Sequence, residues 1–187
     1  GGQVVMTDPE AASGTDRVAE VASQLEDVEI IVNVQGDEPE ISGESIDQVI
    51  QLLEENPDEV MATLATPIRT RSLLEDPSCV KVVMDDGGRA IYFSRSVIPH
   101  PRQWDEALLH AEPAHFHQHL GIYAYRRLFL LELTTLARSV PEKLESLEQL
   151  RVLAQGRSIL VGVTSEPSIG IDTPEDYRAF VRKMTSG

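Results

Sequence analysis

Two aspartates stand where chemistry is easiest to build. Asp37 lies in Asn33-Val34-Gln35-Gly36-Asp37-Glu38-Pro39, directly after the apolar run Ile30, Ile31 and Val32. Asp172 lies in Gly170-Ile171-Asp172-Thr173-Pro174-Glu175-Asp176, after the apolar run from Ser158 to Thr164. Ligands of open parallel sheets bind beyond the carboxyl ends of the strands, so both acids are aimed where a site would form. Two such carboxylates suit a divalent cation. Magnesium takes oxygen ligands, commonly from one or two acids plus substrate phosphates, and the chemistry indicated is phosphoryl or nucleotidyl transfer.

Taken singly, each aspartate has a structural explanation that outweighs the functional one. Asp37 would close a turn, with Gly36 supplying unusual backbone angles and Pro39 stopping the strand. Around Asp172, Thr173, Pro174 and Asp176 form an N-cap, a first-turn proline and a capping acid that start a helix without any ligand. Together the two favour a site. His115 and His117 are spaced like metal ligands, but they stand in a polar loop with no cysteine or acid motif beside them and read as surface histidines.

The elements that must position these groups alternate. Val18, Val21, Ala22 and Leu25 recur at helical spacing behind Ser13 and Asp16, a pair spaced as a capping box, and Ile46, Val49, Ile50 and Leu53 repeat the pattern. Strand-like runs at Ile30 to Val34 and Val60 to Thr66 fall between and after them, as in a Rossmann-like parallel sheet. Val80 to Met84 and Arg89 to Ser94 flank Asp85-Asp86-Gly87-Gly88, which predicts a hairpin added to that sheet. Pro99 to His117 reads as a long surface excursion. A strand from His119 to Tyr125, a helix from Leu144 to Leu153 stopped by Gly156, and a strand from Ser158 to Thr164 complete the pattern. The expected architecture is α/β: a mixed, mostly parallel sheet with flanking helices, in a single domain over residues 1–187.

Composition narrows the function. The 187 residues fit one domain with a sizeable core, and 41% are hydrophobic, as in ordinary globular proteins. With 16 basic against 31 acidic residues, the net charge of −15 opposes nucleic acid and anionic lipid as partners. Anionic substrates would depend on local cations, for which Arg17, Arg95, His119 and Arg151 are the candidates. Cys79 is the only cysteine, so no internal disulfide forms; it falls in a strand pattern, is expected to be small and buried, and fits a reducing cytoplasm. No apolar stretch approaches the roughly 18 residues needed to span a bilayer.

Beyond these single features, Ser13-Gly14-Thr15-Asp16-Arg17, Asn33 to Pro39, Val80-Lys81-Val82-Val83, Tyr92-Phe93-Ser94-Arg95, His119-Leu120-Gly121-Ile122-Tyr123, Leu147-Glu148-Gln149-Leu150-Arg151 and Asp172 to Asp176 occur in an order and spacing that resembles the 3-deoxy-manno-octulosonate (Kdo) cytidylyltransferases. The resemblance spans essentially the whole chain. It implies the nucleotide-diphospho-sugar transferase fold, and attack of the sugar's anomeric hydroxyl on the α-phosphate of CTP with release of pyrophosphate, giving CMP-Kdo for lipopolysaccharide. It further implies Asp37 and Asp172 as catalytic ligands of Mg2+; Ser13, Gly14, Thr15 and Arg17 near the cytosine; and Gln35, Arg95, His119, Tyr123, Glu148 and Gln149 around the acidic sugar. The segment 96–118 is implied to take part in a homodimer. The family's first strand and its basic Gly-Lys loop have no counterpart here, so the chain is expected to be a fragment of reduced competence. Other sugar specificities, amino-Kdo among them, and a noncatalytic sugar-binding or dimerisation module are the alternatives.

Overall fold

A computed structural model of the chain describes residues 2–11, 13–165, 170–171 and 174–185; Asp172 and Thr173 lie outside the described residues, as do the side chains of residues 174, 176 and 179. Helix α1 (Gly14–Ser23) begins where Ser13 Oγ accepts the Asp16 N–H at 3.2 Å, and the Asp16 carboxylate accepts the Ser13 hydroxyl at 2.8 Å, so the pair closes side chain to side chain. Its buried residues Thr15, Ala19 and Ala22 share one face. Helix α2 (Gly43–Glu55) is capped by Ser42, which accepts the Ser45 N–H at 3.0 Å. Its fully buried Val49 and Leu53 pack with Ala62, Leu64, Leu120, Ile122, Ala124 and Leu160, each large side chain contributing about 1.5–3 kcal/mol.

Among the described residues, six strands form one sheet: β1 (Ile30–Val34), β2 (Met61–Pro67), β3 (Lys81–Met84), β4 (Ala90–Ser94), β5 (His117–Arg126) and β6 (Leu160–Val163). The order is β4-β3-β5-β2-β6, with β1 also paired to β5. β1, β2, β3 and β6 point one way and β4 and β5 the other, so most strands do share a direction. Neighbours, however, are mostly antiparallel, because β5 threads between β1, β2 and β3; among the described residues only β2 and β6 pair in parallel. The mixed α/β sheet with flanking helices is as expected, and only its share of parallel pairing is smaller than expected. Helical crossovers in the sequence pattern did not reveal that a later strand would insert between the earlier ones.

β5 positions the site. Alternate residues face opposite sides of a strand, so Leu120, Ile122 and Ala124 enter the core under α2, while His119, Tyr123 and Tyr125 face the other way. β2 runs along one edge of β5. The other edge is shared: β1 ends opposite Ile122, and β3 starts opposite Gln118. Among the described residues, the ladder between them is bridged by the Gln35 N–H to the Gly121 carbonyl at 3.1 Å and the His119 N–H to the Val80 carbonyl at 2.8 Å.

Two regions depart from the expected pattern. The helix anticipated from Leu144 to Leu153 is broken into α5 (Val140–Glu145) and α6 (Gln149–Ala154), because Ser146 takes a left-handed conformation with φ 54° and ψ 47°. The signal that starts α5 is a reciprocal capping box between Ser139 and Glu142. The 96–118 excursion is no loose loop: its 3-10 turn Glu106–His110 buries Leu109, which joins Phe116, Ile68, Leu74 and Cys79 in a separate small core. Cys79 itself precedes β3 and is 5% exposed, buried as expected. Gly156, with φ 70°, follows α6 as the anticipated stop.

Candidate active site

The break in β5's shared edge opens a cavity of about 1080 Å³. Its floor is His119, Gly121, Tyr123 and Tyr125 from β5; the turn after β1 contributes Gln35, Asp37 and Glu38; the kink between α5 and α6 contributes Ser146 to Gln149; and Arg95 enters from the end of β4. Gly121 leaves room here for a close approach by the Glu38 side chain. A Cβ on it would meet Glu38 Cγ at 2.9 Å and Oε1 at 3.1 Å, and the close approach lets Glu38 Oε1 accept the Gly121 N–H at 3.2 Å.

Of the residues singled out from sequence, Gln35, Asp37, Arg95, His119, Tyr123, Glu148 and Gln149 line this one cavity, together with Thr15 from the α1 start. The Thr15 hydroxyl donates to Glu148, so the segment implied for the nucleotide touches the segment implied for the sugar. Ser13 and Gly14 stand off the cavity, Ser13 occupied as an N-cap. Arg17 also points elsewhere, donating to Thr7 Oγ1 at 3.2 Å and to the carbonyls of Asp8 at 2.9 Å and Pro9 at 3.2 Å. Asp172 lies outside the described residues, but the chain leads up to it beside Asp37, whose carbonyl accepts the Ile171 N–H at 2.7 Å.

The electrostatics differ from expectation. His119 is no cation: burial pushes its pKa down to about 3, so it is neutral at physiological pH. Burial likewise raises Tyr123 well above the ordinary phenol range, with Tyr125, Glu148, Glu38 and Asp37 adding to it, and holds Tyr125 high as well. Arg151 is spent on structure. It forms a buried fork with Glu142, with Nη2 to Oε1 at 2.5 Å and Nε to Oε2 at 3.0 Å, and its Nη1 donates to the Leu133 carbonyl at 3.2 Å.

Arg95 is therefore the one cation of the four candidates left to the cavity. Its Nε donates to the Glu145 carbonyl at 2.8 Å and its Nη1 to the Pro77 carbonyl at 3.1 Å, and among the described residues no carboxylate pairs with the guanidinium. An ion pair with a neighbouring acid, the structural alternative for this residue, is not what holds it. Glu145 instead fixes the backbone, with Oε1 accepting the Ser94 hydroxyl at 2.7 Å and Oε2 the Arg95 N–H at 2.9 Å.

Several participants escaped the sequence reading. Glu38 follows Asp37 directly, and Tyr125 continues the alternation of Tyr123; both signals were present. Thr63 is a polar residue in the fully buried run of β2, itself an anomaly that pointed inward. Cys79 lines the cavity, but burial pushes its thiol up to about 11, which makes it a poor nucleophile. His115 is exposed and His117 half-buried, and among the described residues no cluster of three metal-ligating side chains forms.

A family model described as cytidylyltransferase matches residues 1–159. A 3-deoxy-manno-octulosonate cytidylyltransferase of Rhodopirellula baltica is 49% identical over 187 residues, covering 100% of this chain and 75% of that protein. An 8-amino-3,8-dideoxy-manno-octulosonate cytidylyltransferase of Shewanella baltica is 45% identical, covering 98% of this chain and 74% of that protein. Among solved structures, CMP:2-keto-3-deoxy-manno-octonic acid synthetase complexed with CTP superposes with a TM-score of 0.88 at 39% identity, covering 100% of this chain and 73% of that one. The motifs, the sheet with its divided β5 edge and these similarities agree, and the chain belongs to the 3-deoxy-manno-octulosonate cytidylyltransferase family.

Proposed function

We propose that this chain transfers the cytidylyl group of CTP to 3-deoxy-manno-octulosonate, forming CMP-Kdo and pyrophosphate for lipopolysaccharide assembly. The sugar's anomeric hydroxyl oxygen bonds to the α-phosphorus, the bond from that phosphorus to the bridging oxygen breaks, and pyrophosphate leaves. The observation that carries this reading is a single cavity holding a guanidinium without an acid partner among the described residues, beside neutral His119 and Tyr123. Such a set matches an acidic polyol: Arg95 takes the carboxylate as a charged fork, and the neutral side chains take hydroxyls.

Magnesium belongs to the same proposal. Asp37 offers an exposed carboxylate at the cavity rim that makes no hydrogen bond to a described residue, which is the hard oxygen donor the ion prefers. Asp37 and Asp172 would hold it; when bound, the ion supplies positive charge to the phosphates in a cavity that also carries the acids Glu38, Asp76 and Glu148. Homodimerisation through 96–118 and a cytoplasmic location complete the proposal. The packed small core under the 3-10 turn gives that segment a defined outer surface, and the buried free Cys79 suits a reducing compartment. No helix among the described residues is long and apolar enough to cross a membrane.

The test is pyrophosphate release from CTP with magnesium and either Kdo or its 8-amino analogue as acceptor, with light scattering for the dimer. The expected outcome is release that depends on CTP, magnesium and Kdo together, with the 8-amino sugar turned over less well. Binding of Kdo without binding of CTP would instead favour a sugar-binding module.

A further inference from the structure

β5 carries a bulge that the cavity uses. Thr63 of β2 stands opposite Tyr123, and Ala65 stands opposite His119, so the single residue Leu64 faces three residues of β5: Leu120, Gly121 and Ile122. One N–H, that of Leu64, cannot serve both the Leu120 and the Ile122 carbonyls that bracket Gly121. The Thr63 hydroxyl fills the deficit, lying 2.7 Å from the Ile122 carbonyl and 3.4 Å from that of Leu120. Thr63 and Ile122 are both fully buried, so no bulk water can replace this bond.

The same hydroxyl oxygen lies 2.9 Å from His119 Nε2. A threonine hydroxyl has one proton and can accept at its lone pairs. If that proton went to the imidazole, the Ile122 carbonyl would lose its closest donor in a dry setting, which is the costly outcome. If it goes to Ile122, then Nε2 must carry the hydrogen and donate to Thr63. The ring is held in place for this, edge-on to Phe93 at 5.1 Å between centroids and tilted on Tyr123 at 5.2 Å. Nδ1 is then left as a lone pair, it bonds no described residue, and the imidazole lines the cavity.

We propose that Thr63 is a positioning residue that fixes His119 as the Nε2–H tautomer, so that Nδ1 meets the ligand purely as an acceptor. It rests on the sugar reading above for the identity of the ligand. An acceptor-only nitrogen receives a hydroxyl proton and repels a carboxylate oxygen. Arg95 does the reverse, with donors and no acceptor. The two therefore sort the ends of an acidic sugar, carboxylate to Arg95 and a hydroxyl to His119, and the orientation follows from a threonine that never touches it.

The experiment is long-range proton–nitrogen correlation NMR on the full chain labelled with 15N-histidine at pH 7, with His119 assigned by the loss of its signals in His119→Gln. Expected is a protonated, pyrrole-type Nε2 and a bare, pyridine-type Nδ1. Thr63→Val should perturb or mix the tautomers and weaken Kdo binding about tenfold, the value of one net hydrogen bond, with CTP binding changed less than about twofold, well inside that value. Thr63→Ser should restore both. An Nδ1–H or doubly protonated ring in the wild-type spectrum overturns the proposal even if Thr63→Val does not fold. A wild-type spectrum retained in folded Thr63→Val also overturns it, because Thr63 would not be setting the tautomer. Failure of Kdo to bind the wild-type chain would sink the sugar reading instead, leaving the tautomer to be decided by the spectrum.

Discussion

The carbonyl of Asp37 accepts the N–H of Ile171 at 2.7 Å, across 134 positions of sequence, and this joins the turn after β1 to the chain just ahead of Asp172. The described residues Gly170 and Ile171 are thereby held beside the turn that carries Asp37. The Asp37 side chain remains exposed and makes no hydrogen bond to a described residue.

Asp37→Asn should consequently leave stability within about 0.5 kcal/mol, as for surface changes that break no contact. Turnover should fall at least as far as the roughly 10–100-fold that outer-shell partners of a metal cost. Thermal unfolding and magnesium-dependent pyrophosphate release, measured side by side, check both halves. A variant that melts early but keeps its rate at saturating magnesium would mean the carboxylate is structural.

Arg95→Ala should weaken the acidic sugar by about 1.5–3 kcal/mol, the range for a hydrogen bond to a charged group, and CTP by much less. Arg95→Lys should recover only part of the loss, because a lysine lacks the fork that pairs with both oxygens of a carboxylate. Calorimetric titration with each ligand separately gives the comparison. Weakening of CTP alone would assign Arg95 to the nucleotide.

How much of this was readable from the residues depends on whether the information was local. β1, β2 and the β3–β4 hairpin follow the apolar runs and the Asp85 to Gly88 turn closely, because alternation and turn chemistry are short-range. The Asp37 and Arg95 positions were legible for the same reason, each following the end of a strand. The tertiary arrangement was not. Nothing in the run from His119 to Tyr125 shows that it will separate β1 from β2, and nothing in Arg151 shows that Glu142 will neutralise it. Ser146 is a non-glycine residue in a left-handed conformation, so helical spacing ran straight through the kink that delivers Glu148 and Gln149 to the cavity. His119 had the right residue type, but its charge is set by burial that only the fold determines.

That burial makes a pH prediction. The folded chain holds His119 neutral down to about pH 3, whereas the unfolded chain takes up a proton near 6.5. Between these values the unfolded state binds more protons, so this group's contribution to stability is fully present above pH 6.5 and is lost as pH falls towards 3. The slope is at most about 1.4 kcal/mol per pH unit. Urea unfolding of wild type and His119→Gln from pH 7.5 to 5 should show the wild type losing stability more steeply below 6.5. Parallel slopes would mean that the ring protonates freely in the folded state.

Lys81 offers the last test, because it is fully buried at the start of β3 yet carries an ammonium. Its Nζ donates to the carbonyls of Asp76 at 2.8 Å, Cys79 at 2.5 Å and Arg95 at 2.6 Å. Three acceptors require three hydrogens, so the group is protonated although desolvation lowers its pKa. It ties the 76–79 turn to the end of β4, and all of Asp76, Cys79 and Arg95 line the cavity. Lys81→Met keeps the approximate length of the side chain but removes every donor, leaving three inward carbonyls to find other partners. One such loss costs about 1–3 kcal/mol, and a similar net destabilisation is expected here, since removing the buried charge offsets part of the total. Because the lost ties converge on Arg95, sugar binding should weaken more than CTP binding at a temperature where the variant is fully folded. Urea unfolding at pH 7 and paired titrations measure the two effects. A Lys81→Met chain as stable as wild type, with sugar affinity intact, would show that the turn and the strand hold their places without the ammonium.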